Sequence, residues 1–187
     1  MSITVVVPTI NEHADLLPRA VASVQAQTLA PKLIELQLDR DREGAAATRN
    51  RALERVETDW VAFLDADDEL KPNHLRACAR NAALTGADLV YPWFDCDAED
   101  KIGMFGVPFD AVLLRKRNYI PVTVLVRTEL VRAVGGFRDH PDDNGDPCED
   151  WGLWLALLDV GAVFSHLPQR TWIWHNGNGT RGRGTGD

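Results

Sequence analysis

The sequence predicts an α/β domain with a mainly parallel sheet and helices on both faces, and three observations lead there. Four short runs rich in apolar and β-branched residues, at 3–7, 34–38, 60–64 and 88–94, alternate with stretches of helical periodicity. Strands that alternate with helices in this way read as a mainly parallel sheet covered on both faces. At 187 residues and 45% hydrophobic content the chain is long enough for one sizeable core.

The elements follow in order. Ile3–Val7 is a β-branched run closed by Pro8, a buried strand. Residues 13–27 carry Leu16, Leu17, Ala20, Val21 and Val24 on one helical stripe. Ile34, Leu36 and Leu38 alternate with Glu35 and Gln37, a second strand. Ala45–Val56 is a helix with Ala52, Leu53 and Val56 on one face, and Trp60–Leu64 is a third strand. Pro72 suits the first turn of a helix through Leu75, Ala79 and Ala82. Asp88–Phe94 is a fourth strand. This βαβαβαβ order predicts a mainly parallel sheet.

The second half is less regular. Residues 95–118 mix glycine, proline and charge and are expected to form an irregular or hairpin excursion. Pro121–Arg127 is expected as a strand, and Glu129–Val134 as a short helix ended by Gly135 and Gly136. A polar loop, HPDDNGDP, precedes an apolar helix from Glu149 to Leu158, and Ala162–Leu167 and Thr171–Trp174 are closing strands. The expected organisation is one domain over residues 1–175 and a glycine- and arginine-containing tail over 176–187.

Composition narrows the function classes. Twenty basic and 28 acidic residues give a net charge of −8, which argues against broad binding to nucleic acid or anionic membrane. Cys78, Cys96 and Cys148 are odd in number, far apart and without a CxxC pair, which predicts a reduced, cytoplasmic setting. The N-terminal segment lacks the basic start of a signal peptide, and no apolar run reaches membrane-spanning length.

One stretch raises a chemical question. In FLDADDEL, an apolar strand ends in four carboxylates within five residues, Asp65 to Glu69. Like charges so close repel one another, and more strongly as water is excluded. Either water screens them on an open turn or a cation sits among them. Asp65 and Asp67, at i and i+2, face the same side if the chain stays extended, and oxygen ligands of this kind suit Mg²⁺ or Mn²⁺. Asp68 and Glu69 are placed to favour the start of the helix near Pro72.

The segment is not isolated. VVVPTINE, EGAAATRNRAL, FLDADDEL, VGGF and CEDWGLWLAL occur in this order, and together they resemble the family-2 glycosyltransferases with the Rossmann-like GT-A fold, from residue 3 to about residue 175. The resemblance implies a metal-dependent, inverting hexosyltransferase-type enzyme that moves a sugar from a nucleotide-diphosphate donor, a UDP-sugar in particular, to an acceptor hydroxyl. It nominates Thr9, Asn11 and Glu12 for the nucleotide and Arg49 for the donor. Asp39, with Asp41 as a rival, is the match for the aspartate that reads the base, although the family's DDGS-type loop is here the shorter LDRDREG. It places Asp65 by the ribose and metal, makes Asp67 a direct Mn²⁺ or Mg²⁺ ligand, and makes His175 a further metal ligand. The aspartate of the ED pair, Asp150, is the general base.

Two other classes compete. A nucleotidyltransferase also uses paired aspartates, but would bring a glycine-rich basic phosphate loop near the first strand, and VVVPTINEHAD has neither. A non-catalytic nucleotide-sugar-binding module would have no need of both Asp67 and Asp150. The acceptor is open: a glycan, a lipid-linked sugar, a protein or a nucleic acid. Trp60 and Trp154 are expected in the core, and Trp93 and Trp151 as acceptor-side platforms. The tail's GxGxxG, from Gly177 to Gly182, is followed by too few residues for the helix that a dinucleotide fingerprint needs. Arg181 and Arg183 on that glycine tether are expected to close over the donor as a lid.

Overall fold

The computed structural model describes residues 1–96, 105–142 and 145–175. Strand β1 (Ile3–Thr9) is buried along nearly its whole length, as its β-branched run requires of a central strand. A 3₁₀ turn at Asn11–His13 leads into helix α1 (Leu17–Gln25). The helix starts later than the stripe suggests, with Pro18 in its first turn, where a missing N–H is tolerated. Strand β2 (Leu33–Leu38), helix α2 (Ala45–Leu53) and strand β3 (Trp60–Phe63) follow. After β3 come a two-residue strand β4 (Glu69–Leu70), helix α3 (His74–Thr85) and strand β5 (Leu89–Cys96). The second half contributes α4 (Ala111–Leu114), β6 (Leu125–Arg127), α5 (Thr128–Ala133), α6 (Glu149–Asp159) and β7 (Phe164–Trp174).

The seven strands form one sheet in the order β2-β1-β3-β6-β5-β7-β4. β1 pairs in parallel with β2 and β3, and β5 in parallel with β7. β6 lies antiparallel between β3 and β5, and β4 lies antiparallel on β7. Mainly parallel is therefore right, but two antiparallel strands break the pattern. The expected strand at 121–127 is reduced to three residues, and the two expected closing strands are one. β7 runs continuously from Phe164 to Trp174 because register shifts opposite Pro92, Trp93 and Phe94 absorb its extra residues. The excursion at 95–118 holds the short helix α4; residues 97–104 lie outside the described set.

Alternation along each strand divides the core in two. Val6, Val61, Phe63, Leu89, Tyr91 and Val126 pack one face against α2, α5 and α6. Val5, Val7, Ala62, Leu64, Val90 and Leu125 pack the other against α1 and α3. Trp60 and Trp154 are core residues, as expected. Among the described residues no helix is long and apolar enough to cross a membrane.

Candidate active site

The carboxylate cluster hangs from the end of β3. The Leu64 N–H still bonds to Val6 across the sheet, but the chain then turns, and the Asp68 N–H donates to the Asp65 carbonyl at 3.1 Å. The segment is thus a turn rather than an extended strand end. It gathers three carboxylates instead of two: oxygens of Asp65, Asp67 and Asp68 all lie within 4.8 Å of one another. Asp67 and Asp68 are buried. Burial first, and the neighbouring Asp65 charge second, raise the Asp67 carboxyl above its ordinary range and push Asp68 up to about 9.

Converging oxygens in a setting this unfavourable to negative charge are the donor set that a hard divalent cation takes. The observation fits Mg²⁺ or Mn²⁺ held by these side chains. Two basic side chains of the protein itself, Arg19 and His13, lie at the rim. The Arg19 Nη2 donates to the Asp67 carbonyl at 2.5 Å, its Nε sits 3.3 Å from Glu69, and with His13 it favours the charged form of Asp67.

Asp68 and Glu69 do not serve the start of α3, as was expected of them. The residue preceding that helix is Asn73, which makes no side-chain cap. Asp68 is turned inward to accept the His175 N–H at 2.9 Å. Glu69 lies 2.8 Å from the His175 Nε2. His175 therefore reaches the cluster with its backbone, while that ring nitrogen is engaged by Glu69. His175, expected as a metal ligand, thus stands beside the carboxylate cluster, joined to Asp68 and Glu69.

Arg49 projects from α2 into the interior and is 3% exposed. Its Nη2 donates to Asp65 at 2.5 Å and its Nη1 to Glu149 at 2.7 Å. Burial alone works against its charge, but Asp65 and Glu149 outweigh it and raise the guanidinium above its ordinary value. Arg49 thus clamps the carboxylate turn to the first turn of α6. Arg49, expected near the donor, is held inside the protein by these two carboxylates.

The next residue binds the same parts together. Asn50 Nδ2 donates to the Phe137 carbonyl at 2.8 Å, and the Phe137 N–H returns a bond to Asn50 Oδ1. Gly136 has φ +77°, and a Cβ there would stand 2.3 Å from Asn50 Oδ1, so only glycine fits. RN and GGF are two halves of one joint.

Glu149 and Asp150 open α6, where their charge favours the helix start. They differ in environment. Glu149 is buried against Arg49, whereas Asp150 is half-buried. Asp150 Oδ1 accepts from the Asn118 Nδ2 at 3.1 Å and from the Trp151 N–H at 2.8 Å. Trp151 is not a surface platform. It is 5% exposed, donates from Nε1 to the Leu114 carbonyl at 2.7 Å and stacks on His140. Trp93 is half-buried with Arg170 lying 4.5 Å over its ring.

The residues nominated for the nucleotide line the neighbouring loops. Thr9 is buried at the end of β1, and Asn11 and Glu12 are exposed in the 3₁₀ turn. Glu12 pairs with Arg42 at 2.5 Å, joining the loop after β1 to the loop after β2. Arg42 takes φ +55°, the left-handed conformation of a tight turn. Asp39 is buried, and its two carboxylate oxygens accept the N–H groups of Glu43 and Gly44. Those bonds fold LDRDREG back on itself, while Asp41 stays exposed. The sequence reading missed Asp68, Arg19 and Asn118. Asp68 was in plain view, but its inward turn is set by His175, 107 residues away.

The carboxyl ends of β1 and β3, an acidic turn tied to the first turn of a helix, and a sheet of this order define a GT-A glycosyltransferase fold. The sequence profile of glycosyl transferase family 2 matches residues 30–110. The O-antigen biosynthesis protein RfbC of Myxococcus xanthus is 30% identical over 68% of this chain and 9% of its own length. The pre-mycofactocin glycosyltransferase of Mycobacterium tuberculosis is 28% identical over 67% of this chain and 29% of its own. The crystal structure of S. aureus TarS 1-349 in complex with UDP-GlcNAc superposes with a TM-score of 0.74 at 16% identity, covering 96% of this chain and 60% of that one. Residues 30–110 thus carry the sequence signature of glycosyl transferase family 2 on a GT-A fold. The chain spans under a third of the length of these two curated relatives.

Proposed function

We propose that the chain is a metal-dependent, inverting glycosyltransferase that uses a nucleotide-diphosphate sugar, with UDP-sugars the first class to test. The observation that carries the reading is the Asp65–Arg49–Glu149 bridge. It holds an acidic turn suited to a cation and a donor diphosphate at a fixed position against Asp150. The TarS complex with UDP-GlcNAc, on the same fold, supports that class of donor. A bound Mg²⁺ or Mn²⁺ would supply charge neutralisation at the diphosphate, held by Asp67 with Asp65 and Asp68 around it.

The chain's own residues then act as follows. Thr9, Asn11 and Glu12 contact the nucleotide from the loop after β1, and Asp39 shapes the loop on which the base is read. Asp150 takes the proton of the acceptor hydroxyl. The freed oxygen forms a bond to the anomeric carbon as the carbon–oxygen bond to the diphosphate breaks. The electron pair leaves with the nucleoside diphosphate, and attack from the opposite face inverts the anomeric centre. Glu149 is the weaker choice for the base because its carboxylate is buried on Arg49. The tail beyond residue 175, proposed as a lid, and the acceptor, a glycan, lipid-linked sugar, protein or nucleic acid, lie outside the described residues and contacts.

The experiment is calorimetric titration of UDP, GDP and dTDP sugars with and without Mn²⁺. Binding of one donor only with metal, lost in Asp67→Ala while the fold is retained, is the expected result. Equal affinity in the variant, or no binding to any donor, would overturn the reading.

A further inference from the structure

We infer that Asn118 is a positioning residue for Asp150: it fixes the plane of the carboxylate and holds it in the charged form that accepts the acceptor's proton. The inference rests on the proposed role of Asp150 and extends it to a residue that none of the five sequence segments contains.

The orientation of Asn118 is determined by its other bond. The Ile120 N–H donates to Asn118 Oδ1 at 3.1 Å, which obliges the amide NH₂ to face the other way, toward Asp150 Oδ1 at 3.1 Å. An acceptor atom in that place would meet a carboxylate and repel it. The Trp151 N–H adds a second donor on the same oxygen at 2.8 Å. Two donors converging on one oxygen stabilise the anion and leave the carboxylate little freedom to rotate.

The segment carrying Asn118 is itself fixed to the helix carrying Asp150. Trp151 Nε1 bonds to the Leu114 carbonyl at 2.7 Å, and Trp154 Nε1 bonds to the Ile120 carbonyl at 2.9 Å. Both tryptophans belong to α6, and their two bonds clamp residues 114–120 on either side of Asn118. Tyr119, between them, is fully buried, and its hydroxyl accepts from the Asp110 N–H at 2.8 Å and donates to the Asp110 carbonyl at 3.0 Å. Asn118 and Asp150 therefore ride on one rigid unit, and the distance between them is built in rather than incidental. Among the described neighbours, Glu149 is paired with Arg49, and His140 stacks on Trp151.

The arrangement makes a specific demand. A residue that acts through Asp150 matters only while Asp150 is there. The test uses the donor selected by the titration above with Mn²⁺, water as acceptor, and release of nucleoside diphosphate as the readout. Asn118→Ala is expected to lower kcat roughly 10-fold or more at unchanged donor KM, and to move the acidic limb of the pH profile upward. Asn118→Asp, nearly isosteric, sets a like charge against Asp150 and moves that limb further in the same direction. In an Asp150→Asn background, Asn118→Ala is expected to produce no additional loss. Additive losses in that double variant, or a full rate with an unmoved profile in both single variants, would overturn the positioning role. Release of nucleoside diphosphate at the parental rate in Asp150→Asn alone overturns the Asp150 reading itself, a result distinct from either.

Discussion

Replacing Asp68 with asparagine should make the metal-free protein more stable at neutral pH while weakening its response to metal. The structure supplies the magnitude. Asp68 is buried beside Asp65 and Asp67, and its carboxyl is pushed up to about 9. An unfolded aspartate titrates near 3.9, so at pH 7 the folded chain holds a proton that the unfolded chain has lost. Three pH units at roughly 1.36 kcal/mol each give about 4 kcal/mol as the upper end, and partial relaxation of the cluster brings the expectation to about 2–4 kcal/mol. The sign follows from the direction of the shift. The folded value is raised, so stability is fully present below about pH 4 and is lost as pH rises toward 9. Asparagine keeps an oxygen for the His175 N–H and removes the charge.

Thermal unfolding in chelator, from pH 5 to pH 8, is the assay. At pH 7 the variant should melt roughly 5–15 °C above the parent for a domain of this size, with a flatter pH dependence. Added Mn²⁺ should raise the parent's midpoint more than the variant's. A variant less stable than the parent at pH 7, or two parallel pH profiles, would refute the reasoning that the cluster is strained by its own charge.

Three further outcomes are expected. Asp150→Asn should keep donor affinity by calorimetry while product release falls by roughly 10²–10⁴-fold; a near-parental rate would move the base elsewhere. Arg49→Met leaves Glu149 and Asp65 facing each other without their shared cation and should cost about 3 kcal/mol in urea denaturation, with loss of metal-dependent donor binding. A cost near zero would mean that the bridge is dispensable. Gly152→Ala places a Cβ 2.1 Å from the Arg138 carbonyl oxygen, a backbone atom, and should cost about 1–3 kcal/mol or more by the same measurement. An unchanged midpoint would show that the loop-to-helix packing beside Asp150 yields freely.

The parts of the fold that were legible in the sequence are those where period and punctuation coincide. Ile3–Val7, Trp60–Leu64 and the helix from Glu149 could be read because each is a clean apolar run bounded by proline, acid or polar loop. β6 was overextended because pairing between two strands of opposite direction leaves no local trace, and a three-residue strand has almost no periodicity. β7 was split at Pro168 because the register shifts that carry the strand past it depend on β5, its neighbour in space.

The placement of candidate residues was legible where one segment supplies them: Asp65 and Asp67 do share one acidic turn, and Asp150 does open an apolar helix. Where chemistry depends on distant partners it was not. The two carboxylates that hold Arg49 inside the protein lie 16 and 100 residues away, beyond the reach of local spacing. Asp68 was assigned to a helix start, yet it is claimed by a backbone N–H from the last strand. Trp151 was expected as an acceptor-side platform, and the Leu114 carbonyl that receives its N–H cannot be found by spacing.

The central claim is inversion at a donor sugar driven by Asp150 opposite the acidic turn, and the anomeric configuration of the first product tests it most directly. An α-linked nucleotide sugar that binds with Mn²⁺ is incubated with the chain, and the released or transferred sugar is followed by proton NMR from the earliest time points. The account predicts a β-configured product at first appearance, absent in Asp150→Asn. An α-configured first product, or equal β product from the variant, would contradict it.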